Sequence, residues 1–458
     1  MNDSYSVPCL FPALSGQKAC ESFISPAFWS LSPLPLTVSV PGSKSITNRA
    51  MLLALLARGA STLKNCLFSD DSRHFLSCVR ELGITATASE ETHQVTISGC
   101  GGCIPAGEAS LYVGSAGTAA RFLTALAGVS ESICHMDASA QMRRRPMAPL
   151  LQTLRELGAQ ISCHEKEGYF PFTITGHGFH RQELTVDITQ SSQFLSALLI
   201  AAACSQEEIR IRTTGRHGMA YIAMTIRMME QFGVHTIEET DSEAFRLFRI
   251  PGGQHYEAQH YQVEPDVSAA CYFYALAPLL GIDVMVKDVH PSSMQGDIRF
   301  LQLLAGMGCT LIDTKEGILL KGPKDGCYSG ITADMSACSD QAITLAALAP
   351  FASSPTTITS IGHIRCQESD RLTAMATELK RMGIRCIEKP DQITIWPGSV
   401  SPARIRTYDD HRMAMGFALT GLRAPGMVIE DPGCCRKTFE QYFDVLDNVI
   451  RRLTEATP

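Results

Sequence analysis

The sequence predicts an α/β protein built from six repeated units that are divided between two domains. Three observations lead to this prediction. The chain has 458 residues, which is more than a single hydrophobic core usually supports. A glycine-centred pattern recurs five times at one fixed spacing, and apolar helix-like runs recur six times at nearly the same spacing. Repeats of this length are typical of stacked supersecondary units.

The glycine pattern consists of a helix-like run, a bulky apolar residue, glycine and then a strand-like run. Glycine is suited to end a helix in the left-handed conformation because it has no Cβ to clash. The steps between these glycines are all 75 residues: Gly83, Gly158, Gly233, Gly308 and Gly383. The pattern therefore predicts five junctions at which a capped helix leads directly into a strand.

The apolar runs form a second series, and each follows a small or polar loop and a strand-like stretch such as Leu36–Val40. Their starting positions, with steps of 71 to 77 residues, lie near Arg49, Arg121, Gln193, Ala270, Gln341 and Arg412. Glycine caps are common in α/β folds, so some coincidence is expected. Two series that agree nevertheless favour six units, three in each domain.

The domain boundaries follow from this count, because half of six periods after Gly42 ends near Glu264–Asp266. Residues 1–35 show no clear periodicity and contain one basic residue, Lys18, which makes them a poor transit peptide. The expected division is an N-terminal extension at 1–35, domain I at 43–264, and domain II at 36–42 plus 265–458, with hinges near 42 and 264.

The composition excludes several classes of function. A formal net charge of −7 argues against a basic nucleic-acid-binding surface, and no apolar run reaches membrane-spanning length. The 17 cysteines include a single CxxC pair, Cys100 and Cys103, without a second pair at zinc-ligand spacing. Structural, reduced thiols and a cytoplasmic location are therefore expected.

The loops before the six helices contain most of the unusual residues: Pro41–Ser45, Gly114–Thr118, Gln190–Gln193, Glu264–Asp266, Ser339–Gln341 and Asp409–Arg412. Helix N-termini favour anions because their first N–H groups are unpaired. Plain N-capping explains any single Ser or Asp in these loops. It does not explain the cations at or near helix starts, which oppose the helix dipole: Lys44, Arg49, Arg121 and Arg412. Small phosphorylated anions bound between the two domains are therefore expected.

Other motifs favour less specific interpretations. Arg143 and Arg144, in the run before Pro146, are best interpreted as a solvated basic patch, and Asp370 as a helix cap. A nucleotide-binding P-loop is poorly supported because Ser43, not glycine, precedes Lys44. The sequence shows no Rossmann GxGxxG fingerprint, HExxH zinc helix or GxSxG nucleophile elbow.

Taken together, the loops resemble the enolpyruvyl transferase family, within it the branch that uses shikimate 3-phosphate. The resemblance covers about residues 36–445 and is carried by eight motifs: PGSKSITNRA (41–50), GSAGTAARFL (114–123), RRRPM (143–147), SSQFLSALL (191–199), SMQGDIRF (293–300), QESDRLTAMATEL (367–379), YDDHRMAM (408–415) and DPGCCRKTF (431–439). It implies a two-domain inside-out α/β barrel of six βαβαββ repeats, three per domain.

The implied reaction moves the carboxyvinyl group of phosphoenolpyruvate to the 5-hydroxyl of shikimate 3-phosphate and releases phosphate, in the shikimate pathway to chorismate and the aromatic amino acids. It needs no metal and no organic cofactor, and a monomer is expected. By resemblance, the residues that bind shikimate 3-phosphate are Lys44, Ser45, Arg49, Ser191, Ser192, Gln193, Asp340 and Gln367. Those that bind phosphoenolpyruvate are Lys44, Gly117, Arg145, Gln193, Arg371, Arg412 and Lys437.

The resemblance also implies three catalytic roles. Asp340 takes the proton of the 5-hydroxyl, Glu368 exchanges a proton with the methylene carbon, and Lys44 assists the departure of phosphate. The chain departs from the family pattern at Ser115, where Asn is usual, at Gln367, where Lys is usual, and at His363, where some members carry Asn. Two alternatives remain open: transfer to UDP-N-acetylglucosamine, and a non-catalytic relative that binds phosphorylated metabolites.

Overall fold

The computed structural model of the chain describes residues 3–10, 35–215, 218–240, 245–323 and 326–455. The chain forms two compact units, one made of Gly42–Glu264 and the other of Met1–Pro41 with Pro265–Pro458. Both units combine small mixed sheets with helices, so the predicted α/β class is confirmed. Most of the predicted N-terminal extension, at 11–34, lies outside the described residues. Within them, each helix is too short or too polar to cross a lipid bilayer.

The strands of the described residues are short, as is usual for βαβ units. They are β1 Ser4–Ser6, β2 Leu36–Val38, β3 Arg58–Lys64, β4 Ala86–Ser89, β5 Gln94–Cys100, β6 Glu108–Tyr112, β7 Ile133–Asp137, β8 Gln160–Cys163, β9 Phe172–Thr175, β10 Glu183–Asp187, β11 Ile209–Thr214, β12 Ile237–Thr240, β13 Phe245–Ile250, β14 His260–Gln262, β15 Asp283–Lys287, β16 Thr310–Thr314, β17 Gly317–Lys321, β18 Thr332–Asp334, β19 Thr356–Thr359, β20 Cys386–Lys389, β21 Gln392–Ile395, β22 Ala403–Ile405 and β23 Met427–Glu430.

The α-helices lie between these strands and after the last of them. They are α1 Lys44–Leu56, α2 Asp70–Glu81, α3 Gly117–Val129, α4 Ala140–Arg143, α5 Ala148–Glu156, α6 Gln193–Ala202, α7 Met219–Gln231, α8 Val267–Tyr274, α9 Leu276–Leu280, α10 Phe300–Gly306, α11 Ala342–Leu348, α12 Arg371–Arg381, α13 His411–Arg423 and α14 Tyr442–Glu455. Short 3-10 turns occur at Gly296–Arg299, Ser339–Gln341, Ala349–Phe351, Gly362–Cys366 and Pro432–Lys437.

Five four-stranded sheets share one strand arrangement, in which a parallel pair is extended by two antiparallel strands. The strand orders are β14-β3-β5-β4, β6-β7-β9-β8 and β10-β11-β13-β12 in one unit, and β2-β15-β17-β16 and β18-β19-β21-β20 in the other. Parallel neighbours need a crossover connection, and helices supply it: α3 joins β6 to β7, α6 joins β10 to β11, and α11 lies between β18 and β19. This repeated arrangement confirms the predicted βαβαββ unit.

Three strands occupy places that sequence order alone does not indicate. β2 pairs with β15, while β14 takes the place next to β3 that β2 would hold in a simple repeat. The chain continues from β23 into α14, and the third place in the sixth sheet is filled by β1, which runs antiparallel to β23. Val7 is buried in the same core. Residues 3–10 therefore belong to this sheet and its core.

The five predicted glycine caps are present. All five glycines have φ between +79° and +110°, a range that strains residues with a Cβ. At the first of them, the N–H of Gly83 donates to Arg80 O at 2.9 Å and that of Ile84 to Val79 O at 3.3 Å, which closes the last turn of α2. The fixed spacing of 75 residues thus marks structurally equivalent points of the repeat.

The six predicted apolar helices correspond to α1, α3, α6, α8, α11 and α13. All 13 residues of α3 and all 13 of α13 are buried, as expected for a helix that is apolar on every side. Because these helices form the cores of their units, the cations near their N-terminal ends are buried with them. Arg49 and Arg121 are each 1% exposed, and Arg412 is 6% exposed.

Candidate active site

Arg371 lies at the centre of a buried ion-pair network in the unit that contains residues 265–458. Its Nη1 lies 3.0 Å from Asp340 Oδ1, its Nη2 2.8 Å from Glu368 Oε2, and its Nε 2.7 Å from Asp410 Oδ2. Burial acts to lower the pKa of Arg371, but the surrounding carboxylates outweigh burial and raise it. The guanidinium therefore stays charged and holds three acidic side chains in fixed positions.

Arg412 supplies the second cation of this network. Its Nη2 lies 2.6 Å from Asp340 Oδ2, and its Nη1 donates to the hydroxyl of Tyr272 at 3.3 Å. The two oxygens of Asp340 are thus bound by two different arginines. Asp340 belongs to the 3-10 turn Ser339–Gln341, so the start of α11 fixes its backbone.

Lys437 completes the network from the 3-10 turn after β23, with Nζ 3.1 Å from Glu368 Oε1. Gln367 also accepts a hydrogen bond from Arg371. We call the following residues the Arg371 cluster: Arg371, Arg412, Lys437, Asp340, Glu368 and Asp410. Its three cations and three carboxylates are at most 13% exposed and balance each other in charge.

Three acidic residues that precede helices in this unit act as helix caps, as the sequence predicted for Asp370. Its carboxylate accepts from Thr373 N at 3.0 Å at the start of α12. Asp266 caps α8 by accepting from Ala269 N. Asp410 combines both functions, since Oδ1 accepts from Arg412 N at 3.0 Å while Oδ2 binds Arg371. Sequence reasoning included Asp410 in a candidate loop but did not predict its ion pair.

In the unit Gly42–Glu264, Lys44 begins α1, and its Nζ lies 3.6 Å from Asp71 Oδ2. Asp71 is 2% exposed, and its second oxygen has no hydrogen-bond partner among the described residues. A buried carboxylate with one oxygen unsatisfied is costly, so Asp71 is a functional candidate that sequence reasoning missed. The signal for it was the acidic pair at the start of α2, which looks like ordinary helix capping.

Arg49 is buried without a carboxylate bound to it in the part of the chain that the structure describes. It donates instead to Thr225 Oγ1 at 2.8 Å, to Ser45 O at 3.1 Å and to Tyr221 O at 3.4 Å. Burial lowers its pKa to about 10, so it remains charged at neutral pH. A buried cation held by neutral acceptors favours an anionic ligand.

Ser192 lies against the start of α7, close to the groups that hold Arg49. A Cβ placed on Gly218, which has φ +67°, would lie 2.3 Å from Ser192 Oγ. Only glycine therefore permits this approach between the loop of Ser191 and Ser192 and the N-terminus of α7. Hydrogen bonds from Thr225 to Ser196 and from Arg49 to Thr225 connect α6, α7 and α1.

Gly117 marks a second convergence point in the same unit, at the start of α3. A Cβ there would lie 2.9 Å from Arg145 Nη1, 3.2 Å from Arg121 Nη1 and 3.2 Å from Gln193 Oε1. Gln193 Oε1 is buried and has no hydrogen-bond partner among the described residues. The residues that meet here are called the Gly117 cluster: Gly117, Arg121, Arg145 and Gln193.

The structure thus groups the predicted site residues within each unit. The described residues contain no group of three or more His, Cys, Asp or Glu side chains suited to a metal ion.

At the departures from the family pattern, Ser115 Oγ lies 2.7 Å from Ser139 Oγ, and His363 Nε2 lies 2.8 Å from Ser339 Oγ. Arg143 binds Asp137 and Glu165, in agreement with a solvated surface position.

Both α/β units carry buried arginines and carboxylates in their loops, a combination typical of enzymes that bind small anions. The family model of EPSP synthase (3-phosphoshikimate 1-carboxyvinyltransferase) matches residues 30–446. The chain is 46% identical over 412 residues to the 3-phosphoshikimate 1-carboxyvinyltransferase of Nostoc punctiforme, covering 90% of this chain and 95% of the relative. It is 40% identical over 420 residues to that of Tolumonas auensis, covering 91% and 97%.

Solved structures show the same relationship. EPSP synthase from Acinetobacter baumannii matches with a TM-score of 0.73 at 25% identity, covering 91% of this chain and 96% of that structure. The enolpyruvyl transferase NikO from Streptomyces tendae, at 15% identity and a TM-score of 0.69, shares the fold. The chain belongs to the EPSP synthase family, as the sequence motifs predicted.

Proposed function

We propose that this chain transfers the carboxyvinyl group of phosphoenolpyruvate to the 5-hydroxyl of shikimate 3-phosphate, releasing phosphate. The observation that carries the proposal is the Arg371 cluster, in which two arginines and a lysine are fixed by the two carboxylates that acid–base chemistry needs. Family membership supplies the identity of the substrates.

Shikimate 3-phosphate is proposed to bind at Arg49 and the loop of Ser191 and Ser192. The support is the buried Arg49 guanidinium, which lacks a bound carboxylate among the described residues, and the approach of Ser192 to the start of α7. A phosphate there would gain charge-assisted hydrogen bonds and the favourable end of the helix dipole. Ser45, Lys44, Gln193, Asp340 and Gln367 are proposed to contact the rest of this substrate.

Phosphoenolpyruvate is proposed to bind at the cations of the Arg371 cluster together with Lys44, Gly117, Arg145 and Gln193. The absence of a side chain at Gly117 leaves Arg145 Nη1 and Gln193 Oε1 close to its backbone. A carboxylate and a phosphate need several donors once water is excluded, and arginine supplies them in bidentate form.

The chemistry consists of an addition followed by an elimination. The 5-oxygen bonds to C2 of phosphoenolpyruvate, Asp340 accepts the hydroxyl proton, and Glu368 donates a proton to the methylene carbon. In the second step the C2–O bond to phosphate breaks and the new methyl carbon returns a proton, so the vinyl ether forms without a redox change. Lys44 is proposed to stabilise the charge on the leaving phosphate.

Phosphate release tests this proposal directly. The wild-type chain should release phosphate only when both substrates are present, and Asp340→Asn should reduce turnover about 100-fold or more. Asp391→Asn, an exposed turn residue of the same unit, is the matched control and should keep full activity. Release with UDP-N-acetylglucosamine in place of shikimate 3-phosphate, or no release with either acceptor, would refute the assignment.

Ligand-dependent melting separates binding from catalysis. Shikimate 3-phosphate should raise the melting temperature of the chain, and UDP-N-acetylglucosamine should not. Binding without turnover would favour the non-catalytic relative. A cytoplasmic location is proposed from the unbridged thiols of buried cysteines such as Cys66 and Cys134, and a monomer is proposed by analogy with the family. The domain boundaries near 42 and 264 stay a prediction.

A further inference from the structure

Asp297 is a buried carboxylate that the proposed mechanism does not use. It lies in the 3-10 turn Gly296–Arg299 and is 4% exposed. Its Oδ2 accepts hydrogen bonds from Gln341 Nε2 at 3.1 Å and from the hydroxyl of Ser268. Both donors are neutral, and no ion pair to Asp297 occurs within the described part of the chain. A buried charge in such surroundings is costly and needs a functional explanation.

The hydrogen bond to Gln341 connects Asp297 to the turn that presents Asp340. Gln341 follows Asp340 directly, is fully buried, and also donates to Ser268 O at 3.3 Å. Its Oε1 accepts from Thr344 Oγ1 at 3.0 Å inside α11. The Gln341 side chain is therefore fixed from three sides, and Asp297 supplies the charged acceptor among them.

Burial and neighbouring charges both act on the pKa of Asp297. Burial, followed by the nearby charge of Asp340, raises the pKa of Asp297 to about 6, while Arg412 acts in the opposite direction. The thiols of Cys271 and Cys338 also face it, and burial raises the pKa of both, so they stay neutral. Near pH 7 Asp297 is therefore a negative charge close to Asp340 and Arg412.

This charge opposes the effect of the two arginines on Asp340. Arg371 and Arg412 both bind the Asp340 carboxylate, and two adjacent cations favour its ionised form and weaken it as a base. A nearby carboxylate has the opposite effect, because a like charge favours the protonated form. Asp297 can thus restore the proton affinity that two ion pairs remove.

We propose that Asp297 is a positioning residue for Asp340: it fixes the turn Ser339–Gln341 through Gln341, and its negative charge keeps Asp340 basic enough to take the hydroxyl proton. This inference rests on the proposed function, because it assigns Asp297 a role in the same proton transfer. Asp297 itself does not touch the substrate in this proposal.

The test compares pH profiles of turnover for the wild type, Asp297→Asn and the control Asp391→Asn. Asparagine can keep an acceptor oxygen for Ser268 and Gln341 while the charge is lost. Asp297→Asn should lower kcat about tenfold at pH 7, leave KM for phosphoenolpyruvate within about twofold, and move the acid limb of the kcat profile to lower pH. A loss of kcat without movement of the acid limb would reduce Asp297 to a structural role and refute the charge argument.

A second variant keeps the inference testable if Asp297→Asn does not fold. Gln341→Met removes the donor but leaves the Asp297 charge, so kcat should fall while the acid limb stays in place. Wild-type kcat in Gln341→Met would refute the positioning role. If the wild type itself releases no phosphate, the proposed function fails and this inference fails with it; if the wild type is active and Asp297→Asn matches it, only the inference fails.

Stability gives a readout that is independent of activity. The folded-state pKa of Asp297 is raised from 3.8 to about 6, so the folded chain binds this proton more tightly than the unfolded chain. The wild type should therefore lose stability relative to Asp297→Asn as the pH rises through this range. A difference in melting temperature that does not change between pH 4 and pH 7 would contradict the buried charge.

Discussion

Replacement of Gly117 by alanine separates substrate binding from folding. The added methyl would lie 2.9 Å from Arg145 Nη1 and 3.2 Å from both Arg121 Nη1 and Gln193 Oε1. These side-chain ends must shift by a few tenths of an ångström, which disturbs the arrangement proposed to bind phosphoenolpyruvate. If about half of two charge-assisted hydrogen bonds is lost, the cost is about 1.5–3 kcal/mol, or about 10- to 100-fold in affinity.

The same substitution should not weaken the fold. Gly117 is the first residue of α3 and does not have a left-handed φ, and replacement of glycine by alanine at a position with a compatible backbone stabilises a protein by about 0.4–1 kcal/mol. We expect KM for phosphoenolpyruvate to rise about 10- to 100-fold, while the melting temperature is unchanged or higher. Steady-state kinetics and thermal unfolding measure the two effects on one sample.

The control for this experiment is Gly306→Ala. Gly306 is the last residue of α10, and the added methyl would lie in open space. It should change neither KM nor kcat. A Gly117→Ala enzyme with wild-type KM for phosphoenolpyruvate would refute the assignment of the Gly117 cluster to that substrate. A fall in melting temperature of several degrees together with a raised KM would instead indicate general damage to α3.

Three further changes test other parts of the structure. Glu368→Gln should keep KM for phosphoenolpyruvate and for shikimate 3-phosphate within a few fold and lower kcat about 100-fold or more. The reason is that an amide can bind Arg371 but cannot donate a proton to carbon. An unchanged kcat would remove Glu368 from the mechanism. Asp410→Ala should cost about 3–5 kcal/mol in denaturant unfolding, because Asp410 is fully buried and bound to Arg371; a loss below about 1 kcal/mol would show that Arg371 finds other partners. Deletion of residues 1–10 should lower the melting temperature. It removes β1, the buried Val7 and the 2.5 Å hydrogen bond from the Tyr5 hydroxyl to Asp447. An unchanged melting temperature would mean that β1 does not stabilise the sixth sheet.

The repeat was predictable from the sequence because each unit repeats a local requirement. A left-handed residue after a helix demands glycine, so Gly83 and its four equivalents are visible in the sequence without any knowledge of tertiary contacts. The pairing of β14 with β3 and of β1 with β23 was not predictable. Both join segments far apart in the sequence, and short strands carry too little pattern to specify a distant partner.

In the candidate site, too, contacts between sequence neighbours could be predicted, whereas contacts between distant segments could not. Arg371, Glu368 and Gln367 are neighbours in the sequence, and their contact could be expected from one loop and one helix start. The approach of Asp340 and Asp410 to Arg371 depends on how α11, α12 and α13 pack. Capping was a sufficient local explanation for Asp410, and for that reason its second role remained hidden.

The charge balance of the Arg371 cluster connects the structure to the proposed chemistry. Arg371 and Lys437 bind the two oxygens of Glu368, while Arg371 and Arg412 bind those of Asp340. A phosphorylated anion bound at the proposed site would compete for these same cations. Each carboxylate then loses part of its ion pairing and gains an anionic neighbour, and both changes increase its affinity for a proton. Substrate binding would thereby make Asp340 a better base and favour the protonated form of Glu368 that can act as an acid, which is what the two proposed steps require.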